Sequence, residues 1–167
     1  INVRYNGLKA DFCQPSVVVE KGGIKVGIIG AIGDCLSSIS GEFQDGLSFV
    51  TGTQLTNLIK AESKRLRNEE GCDIVVLSQH EGYESSSSTQ QTLDQSDIPY
   101  YDVSLSNGYI DLVFEAHTHQ NYIFQDKYGV LHIQGGGENK YISKAEISFN
   151  SVTSSYSTSA QLIRSYS

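Results

Sequence analysis

The sequence predicts an α/β front joined to a β-rich back. Three observations carry that expectation. Two apolar runs dense in β-branched residues, "KVGIIG" and "DIVVL", bracket one stretch with helical spacing, and beyond residue 109 the apolar residues come in short runs parted by turn formers. The chain has 167 residues, 38% of them hydrophobic and only two of them proline, which is enough to build one domain, residues 1–167, around a real core.

The elements follow in order. "SVVVEKGGIKVGIIG" reads as a strand over Val17–Glu20, a tight turn at Gly22-Gly23 and a second, largely buried strand over Ile24–Gly30, together a hairpin. From Thr53, apolar Leu55, Leu58, Ile59, Ala61 and Leu66 fall on one helical face, broken by Glu62. Lys60, Lys64, Arg65 and Arg67 gather toward the end, where cations suit a helix C-terminus, and Gly71 marks the stop. "CDIVVLSQH" is an apolar run opening into polar residues, the pattern of an interior strand covered on both faces, with His80 just past its end. Residues 84–97, polar and almost free of apolar anchors, read as a solvated connection. "YIDLVFEAHTH" repeats the earlier pattern, with a strand over Ile110–Phe114. "NYIFQD", the turn "KYG", "VLHIQ", "GGGENKY" and "SKAEISF" then alternate like an antiparallel β meander.

Composition excludes several classes of function. Net charge is −7 and the basic residues are scattered, so a nucleic-acid backbone is repelled rather than gripped. The longest apolar runs fall far short of the roughly 20 residues of a membrane-spanning helix. Cys13, Cys35 and Cys72 are odd in number and widely spaced, which fits neither a disulfide framework nor a thiolate metal ribbon, and Cys72 beside "DIVVL" reads as a small buried apolar side chain. An anionic substrate needs local positive charge, and a metal ion is its natural source in so acidic a chain. Sparse lysine and a surface rich in Ser, Asn and Gln lean toward a secreted or cell-surface protein.

Histidine is where chemistry concentrates. His80 follows one buried strand, and His117 with His119 follow another, so neighbouring parallel strands bring three imidazoles to the carboxyl edge where open α/β sheets hold ligands. On an extended segment the two rings of His-x-His share a face and serve one metal or two adjacent ones. The fourth histidine, His132, reads as a strand residue on the face it shares with Gln134. "GIIGAIG" follows a strand as a dinucleotide loop would, but its glycine spacing is wrong and the segment after it is a poor helix start.

The succession "KVGIIGAIGD", "CDIVVLSQHEGYE", "YIDLVFEAHTHQNY" and "VLHIQGGGENKYISKAEISF" resembles the C-terminal half of the calcineurin-like metallophosphoesterases, in their 5′-nucleotidase and cyclic-nucleotide phosphodiesterase branch, over residues 17 to about 150. The resemblance, to the bacterial members of that branch, adds an expected bacterial source. It implies packed β-sheets flanked by helices and a dinuclear centre at the strand ends, with His80, His117 and His119 as ligands. It implies hydrolysis of a small phosphorylated substrate, a nucleotide among the candidates, by a water activated between two divalent ions, zinc, manganese or iron, about 3.5–4 Å apart. Tyr83, Asn121 and Tyr122, close behind the candidate ligands, are candidates for lining a substrate site.

Departures from the family pattern matter as much. Its earlier ligands, an Asp-x-His, a bridging Gly-Asp and an Asn-His, are not present as a set. Gly33-Asp34 offers an aspartate, but no Asn-His follows before His80. A chain beginning at Ile1 fits the back part of a catalytic domain whose N-terminal motifs lie outside it, and such a chain is expected to be inactive alone. Glu115-Ala116 stands where the family has two glycines, so a Cβ and a carboxylate narrow the site or change its preference there, and Glu115 is a candidate partner for a histidine N–H. The alternative is a non-catalytic module, a truncated or degenerate phosphoesterase fold that binds metal or another molecule.

Overall fold

The computed structural model describes residues 1–83, 108–126, 129–153 and 155–165. The expected connection over residues 84–97 lies outside them, as do Lys127 and Tyr128 of the expected turn. Contacts group the described chain into two compact units, one of residues 1–80 with 108–111, the other of residues 81–83 with 112–165.

In the first unit, β1 (Val3–Tyr5), β2 (Leu8–Lys9), β3 (Ser16–Lys21), β4 (Ile24–Ile32), β5 (Leu47–Phe49), α1 (Gly52–Asn68) and β6 (Ile74–His80) follow one another. The hairpin forms as its sequence predicts: β3 pairs antiparallel with β4 from Ser16↔Ile29 to Lys21↔Ile24, around Gly22 and Gly23. Both glycines hold left-handed φ angles, 61° and 80°, at no steric cost. β4 continues two residues past the expected end and pairs in parallel with β6, from Val26↔Ile74 to Ile32↔His80. A parallel pair needs a crossover, and α1 supplies it.

The helix buries Thr56, Ile59, Ser63 and Leu66. This face is turned slightly from the one the leucines suggest: Ala61 is exposed, and the Ser63 hydroxyl donates to the Tyr109 carbonyl. Ile59 and Leu66, both fully buried, each contribute about 1.5–3 kcal/mol of apolar burial. Gly27 lets helix and strand approach, because a Cβ there would stand 2.9 Å from Leu66 Cδ1 and 3.2 Å from Cys72 Sγ. Cys72 is buried, as expected. A small separate sheet, ordered β2-β1-β5, is held to β4 by buried Asn2, whose side chain donates to the carbonyls of Ile32 (2.6 Å) and Val50 (2.9 Å) and accepts from the Ile32 N–H.

The second unit contains β7 (Leu112–Glu115), β8 (Asn121–Gln125), β9 (Leu131–Gly135), β10 (Tyr141–Asn150) and β11 (Ser155–Arg164). β7 begins two residues later than its apolar run suggests. The carboxylate of Asp111 accepts the Val75 N–H and the Arg67 guanidinium, each at 2.7 Å, and so serves the first unit instead of a strand. The antiparallel pattern expected at the back holds for β8 with β9 and for β10 with β11, which pair over ten residues each. β7 runs parallel to β9, from Leu112↔Leu131 to Glu115↔Gln134, so β9 lies between β7 and β8. The β10–β11 ribbon alternates half-buried and exposed residues through most of its length, the mark of a strand pair with one covered face.

Candidate metal centre

His80 is the last residue of β6 rather than the residue after it, with an exposed side chain and a carbonyl that accepts the Gly33 N–H at 3.0 Å. His117 and His119 lie in the segment between β7 and β8, and both are exposed. The expectation that this segment is extended is overturned. His117 has φ 72° and His119 φ 57°, both in the left-handed region, and the Thr118 N–H donates to the Ala116 carbonyl at 2.9 Å, closing a three-residue turn about His117. The rings therefore do not share a face by strand alternation. Non-glycine residues adopt such angles at a cost of order 1–3 kcal/mol each, which persists only where the surroundings fix them.

The surroundings do so from several sides. The Ala116 N–H donates to the Glu81 carbonyl (3.1 Å) and the Gly136 N–H to the Gln120 carbonyl (2.9 Å). Buried Gly137 lies against the His119 ring so closely that a Cβ there would be 2.8 Å from its Cγ and 2.9 Å from its Nδ1. Thr118, between the two histidines, has its hydroxyl 2.9 Å from Gln134 Nε2 and 3.1 Å from Gln134 Oε1.

Below the turn runs a buried polar chain. Glu115 Oε2 accepts the Tyr122 hydroxyl proton, and Glu115 Oε1 lies 3.0 Å from His132 Nδ1. His132 stacks on Phe124, with centroids 4.5 Å apart, and its Nε2 is 3.7 Å from Asp126 Oδ2. Burial pushes the imidazole well below its ordinary range, to about 3, so the ring is neutral at physiological pH. Burial first, and then the neighbouring Glu115 carboxylate, push the Tyr122 phenol up, which keeps it a neutral donor. Glu115 thus does partner a histidine, His132.

Tyr122, expected as substrate lining, is half-buried and takes the Tyr83 N–H at 3.1 Å on its hydroxyl. Asn121 is exposed at the start of β8, opposite Gly135, and the Tyr83 side chain is half-buried. Gln134, Thr118 and Asp126 were not singled out from sequence. For Gln134 the signal is faint: "LHIQ" places it with His132 on one face of an otherwise apolar strand.

Among the described residues no group of three or more His, Cys, Asp and Glu side chains gathers as a metal site. The candidate donors are right in kind: His117 and His119 are exposed imidazoles on a backbone-locked turn, with Gly137 behind one ring. As a donor set they are incomplete among the described residues, since imidazoles alone leave the charge of a dication unneutralised, and Glu115 is engaged with Tyr122 and His132.

No family model matches the chain. It is 38% identical over 105 residues to an apyrase of Tabanus yao, a match over 62% of this chain and 16% of that protein. Among solved structures it is similar to a chain assigned as a 5′-nucleotidase from Staphylococcus aureus (TM-score 0.68, 20% identity, 98% of this chain and 31% of that one). It is also similar to the sulfate thiohydrolase SoxB of Thermus thermophilus (TM-score 0.67, 16% identity, 98% and 27%). The chain spans about a third or less of the length of each of these hydrolases. The fold that the sequence resemblance implies is therefore shared with these solved structures, across 98% of this chain.

Proposed function

We propose that this chain is the C-terminal part of the catalytic domain of a metal-dependent phosphoester hydrolase, acting on small phosphorylated substrates with nucleotides as the first class to test. The observation that carries the proposal is the exposed histidine pair, held in left-handed backbone conformations at a strand end, in a chain 38% identical to an apyrase over 105 residues. Strained backbone maintained by dense hydrogen bonding is a frequent companion of functional sites.

On this reading His80, His117 and His119 are imidazole ligands contributed to a centre whose carboxylates come from outside these 167 residues. Divalent ions bound there, zinc, manganese or iron, would neutralise phosphate charge and lower the pKa of a bound water. What the chain itself supplies is orientation of the rings. A secreted location belongs to the same proposal; a bacterial source does not, the matched sequence relative being from Tabanus yao. No described helix is long and apolar enough to cross a membrane.

The test uses the full native protein that carries this chain. With manganese or zinc supplied, phosphate release from ATP, ADP, AMP and a simple phosphomonoester is measured for the parent and for His117→Ala and His119→Ala. Each substitution is expected to lower kcat/KM about a thousandfold, matching several kcal/mol of lost metal assistance. Unchanged hydrolysis in both variants removes the histidines from the chemistry. No hydrolysis by the parent, with metal bound, leaves the second reading, a non-catalytic metal-binding module.

A further inference from the structure

We propose that Gln134 and Tyr122 form a buried clasp whose task is to position the His117–Thr118–His119 turn, and that Thr118 is the link through which they act. This makes Tyr122 a positioning residue rather than part of a substrate wall. The proposal rests on the functional reading above for the role of the histidines, but the clasp itself stands on hydrogen bonds within the second unit.

Gln134 is 1% exposed, on β9. A primary amide has two N–H bonds, and both are used here: Nε2 lies 2.9 Å from Tyr122 Oη and 2.9 Å from Thr118 Oγ1. Tyr122 Oη also accepts the Tyr83 N–H at 3.1 Å and gives its own proton to Glu115 Oε2, whose other oxygen faces His132. One amide thus ties the residue between the two histidines to a carboxylate-anchored phenol, and that phenol ties down the segment at residues 81–83. Hydrogen bonds that end on a carboxylate are shorter and stronger than neutral ones, so the chain has a firm anchor.

The space around the clasp is closed as well. A Cβ at Gly82 would lie 2.3 Å from Gln134 Nε2, 2.6 Å from the Ala116 carbonyl oxygen and 3.0 Å from Thr118 Oγ1. Only glycine lets this backbone rest on the clasp. The amide is specified too. Glutamate at 134 could still accept the Thr118 hydroxyl, which lies 3.1 Å from Gln134 Oε1, but it would set an acceptor against the Tyr122 oxygen, which needs a donor, and leucine would offer nothing. Thr118 contributes a hydroxyl, not shape alone, so serine can replace it and valine cannot.

Two readouts on the full native protein test this. Amide hydrogen exchange over residues 116–120 reports the turn without any metal. Cobalt(II) titration, followed by its visible absorption, reports the imidazoles. Thr118→Val and Gln134→Leu are each expected to speed exchange at 116–120 about tenfold or more and to weaken cobalt binding about 10–100-fold, the usual consequence of losing an outer partner of a metal site. Thr118→Ser should stay within about threefold of the parent in both. Gln134→Leu removes a buried amide and can unfold the chain, so the half-buried Thr118 pair decides the matter.

Unchanged exchange in Thr118→Val overturns the clasp. Faster exchange with unchanged cobalt affinity overturns its positioning role and leaves a structural one. If the parent binds no cobalt, or binds it equally after His117→Ala and His119→Ala, the functional reading has failed, the clasp is then judged by exchange alone, and it stands if valine loosens the turn and serine does not.

Discussion

The two compact units bury their interiors by different physics. The first is closed mainly by Ile29, Ile59, Leu66, Ile74 and Leu77, each fully buried beside the uncharged polar Asn2 and Ser63, with the pair Arg67–Asp111 left about a quarter to a third exposed at the margin. The second places Glu115, Asp126, His132 and Gln134 inside, among Leu112, Val113 and Ile133. An apolar interior is sensitive to volume and indifferent to direction. A polar one fails when any single partner is lost, because the group left behind is buried without a substitute for water.

The largest effect should come from removing the carboxylate at the centre of the second unit. Glu115→Ala takes away the acceptor shared by Tyr122 and His132, and the two abandoned groups together should cost about 3 kcal/mol, read as a lower urea midpoint at constant m-value. A cost below about 1 kcal/mol would erase the distinction between the units.

Acid should reveal the same interior. The His132 ring, faced by Glu115 and Asp126 and pushed down to about 3 by burial, refuses a proton that the unfolded chain accepts near pH 6.5. Its contribution is fully present above about pH 6.5 and is lost as pH falls toward 3, since the unfolded state then binds more protons. Urea midpoints between pH 7 and 4 should fall steeply for the parent and less so for His132→Phe, which keeps a ring against Phe124 but has no proton to take up.

In the first unit the sensitive variable is volume. Gly27→Val forces side-chain atoms into Leu66 and Cys72 and should cost about 1–3 kcal/mol, part of which Leu66→Ala in the same chain should return. A double variant no better than the sum of its parts would show that backbone strain, not crowding, is at fault. The smallest change is Asp111→Asn. It weakens two hydrogen bonds at a partly exposed site, so about 1 kcal/mol is expected, shrinking as salt is added because solvent screens the Arg67 pair.

Legibility in the sequence divided along the same line. Apolar spacing made β4, β6, the β3–β4 hairpin and α1 readable, and alternation correctly placed His132 and Gln134 on one face of β9. β11 was not readable, because "SYSTSAQLIR" hides its alternation under serine and threonine. The start of β7 was misjudged because Asp111, inside an apolar run, is claimed by Arg67 and Val75 of the other segment of its unit. His80, His117 and His119 could be named as candidates, but the left-handed turn could not be foreseen, since it depends on Gln134 and Gly137, neither of which is next to it in sequence. Tyr122 reads from sequence only as a candidate for lining a substrate site, and its hydroxyl network is hidden for the same reason: the partners Glu115, Tyr83 and Gln134 lie 7, 39 and 12 positions away.

The φ angles of 72° at His117 and 57° at His119 have a consequence for heredity as well as for geometry. In this region an L side chain crowds its own backbone, β-branched ones worst of all, while glycine and asparagine are most at ease. A saturation library sorted only for a folded chain should therefore enrich glycine and asparagine at both positions and discard valine, isoleucine and threonine. Histidine is a costly occupant by that standard, and a lineage under no pressure except to fold would drift away from it.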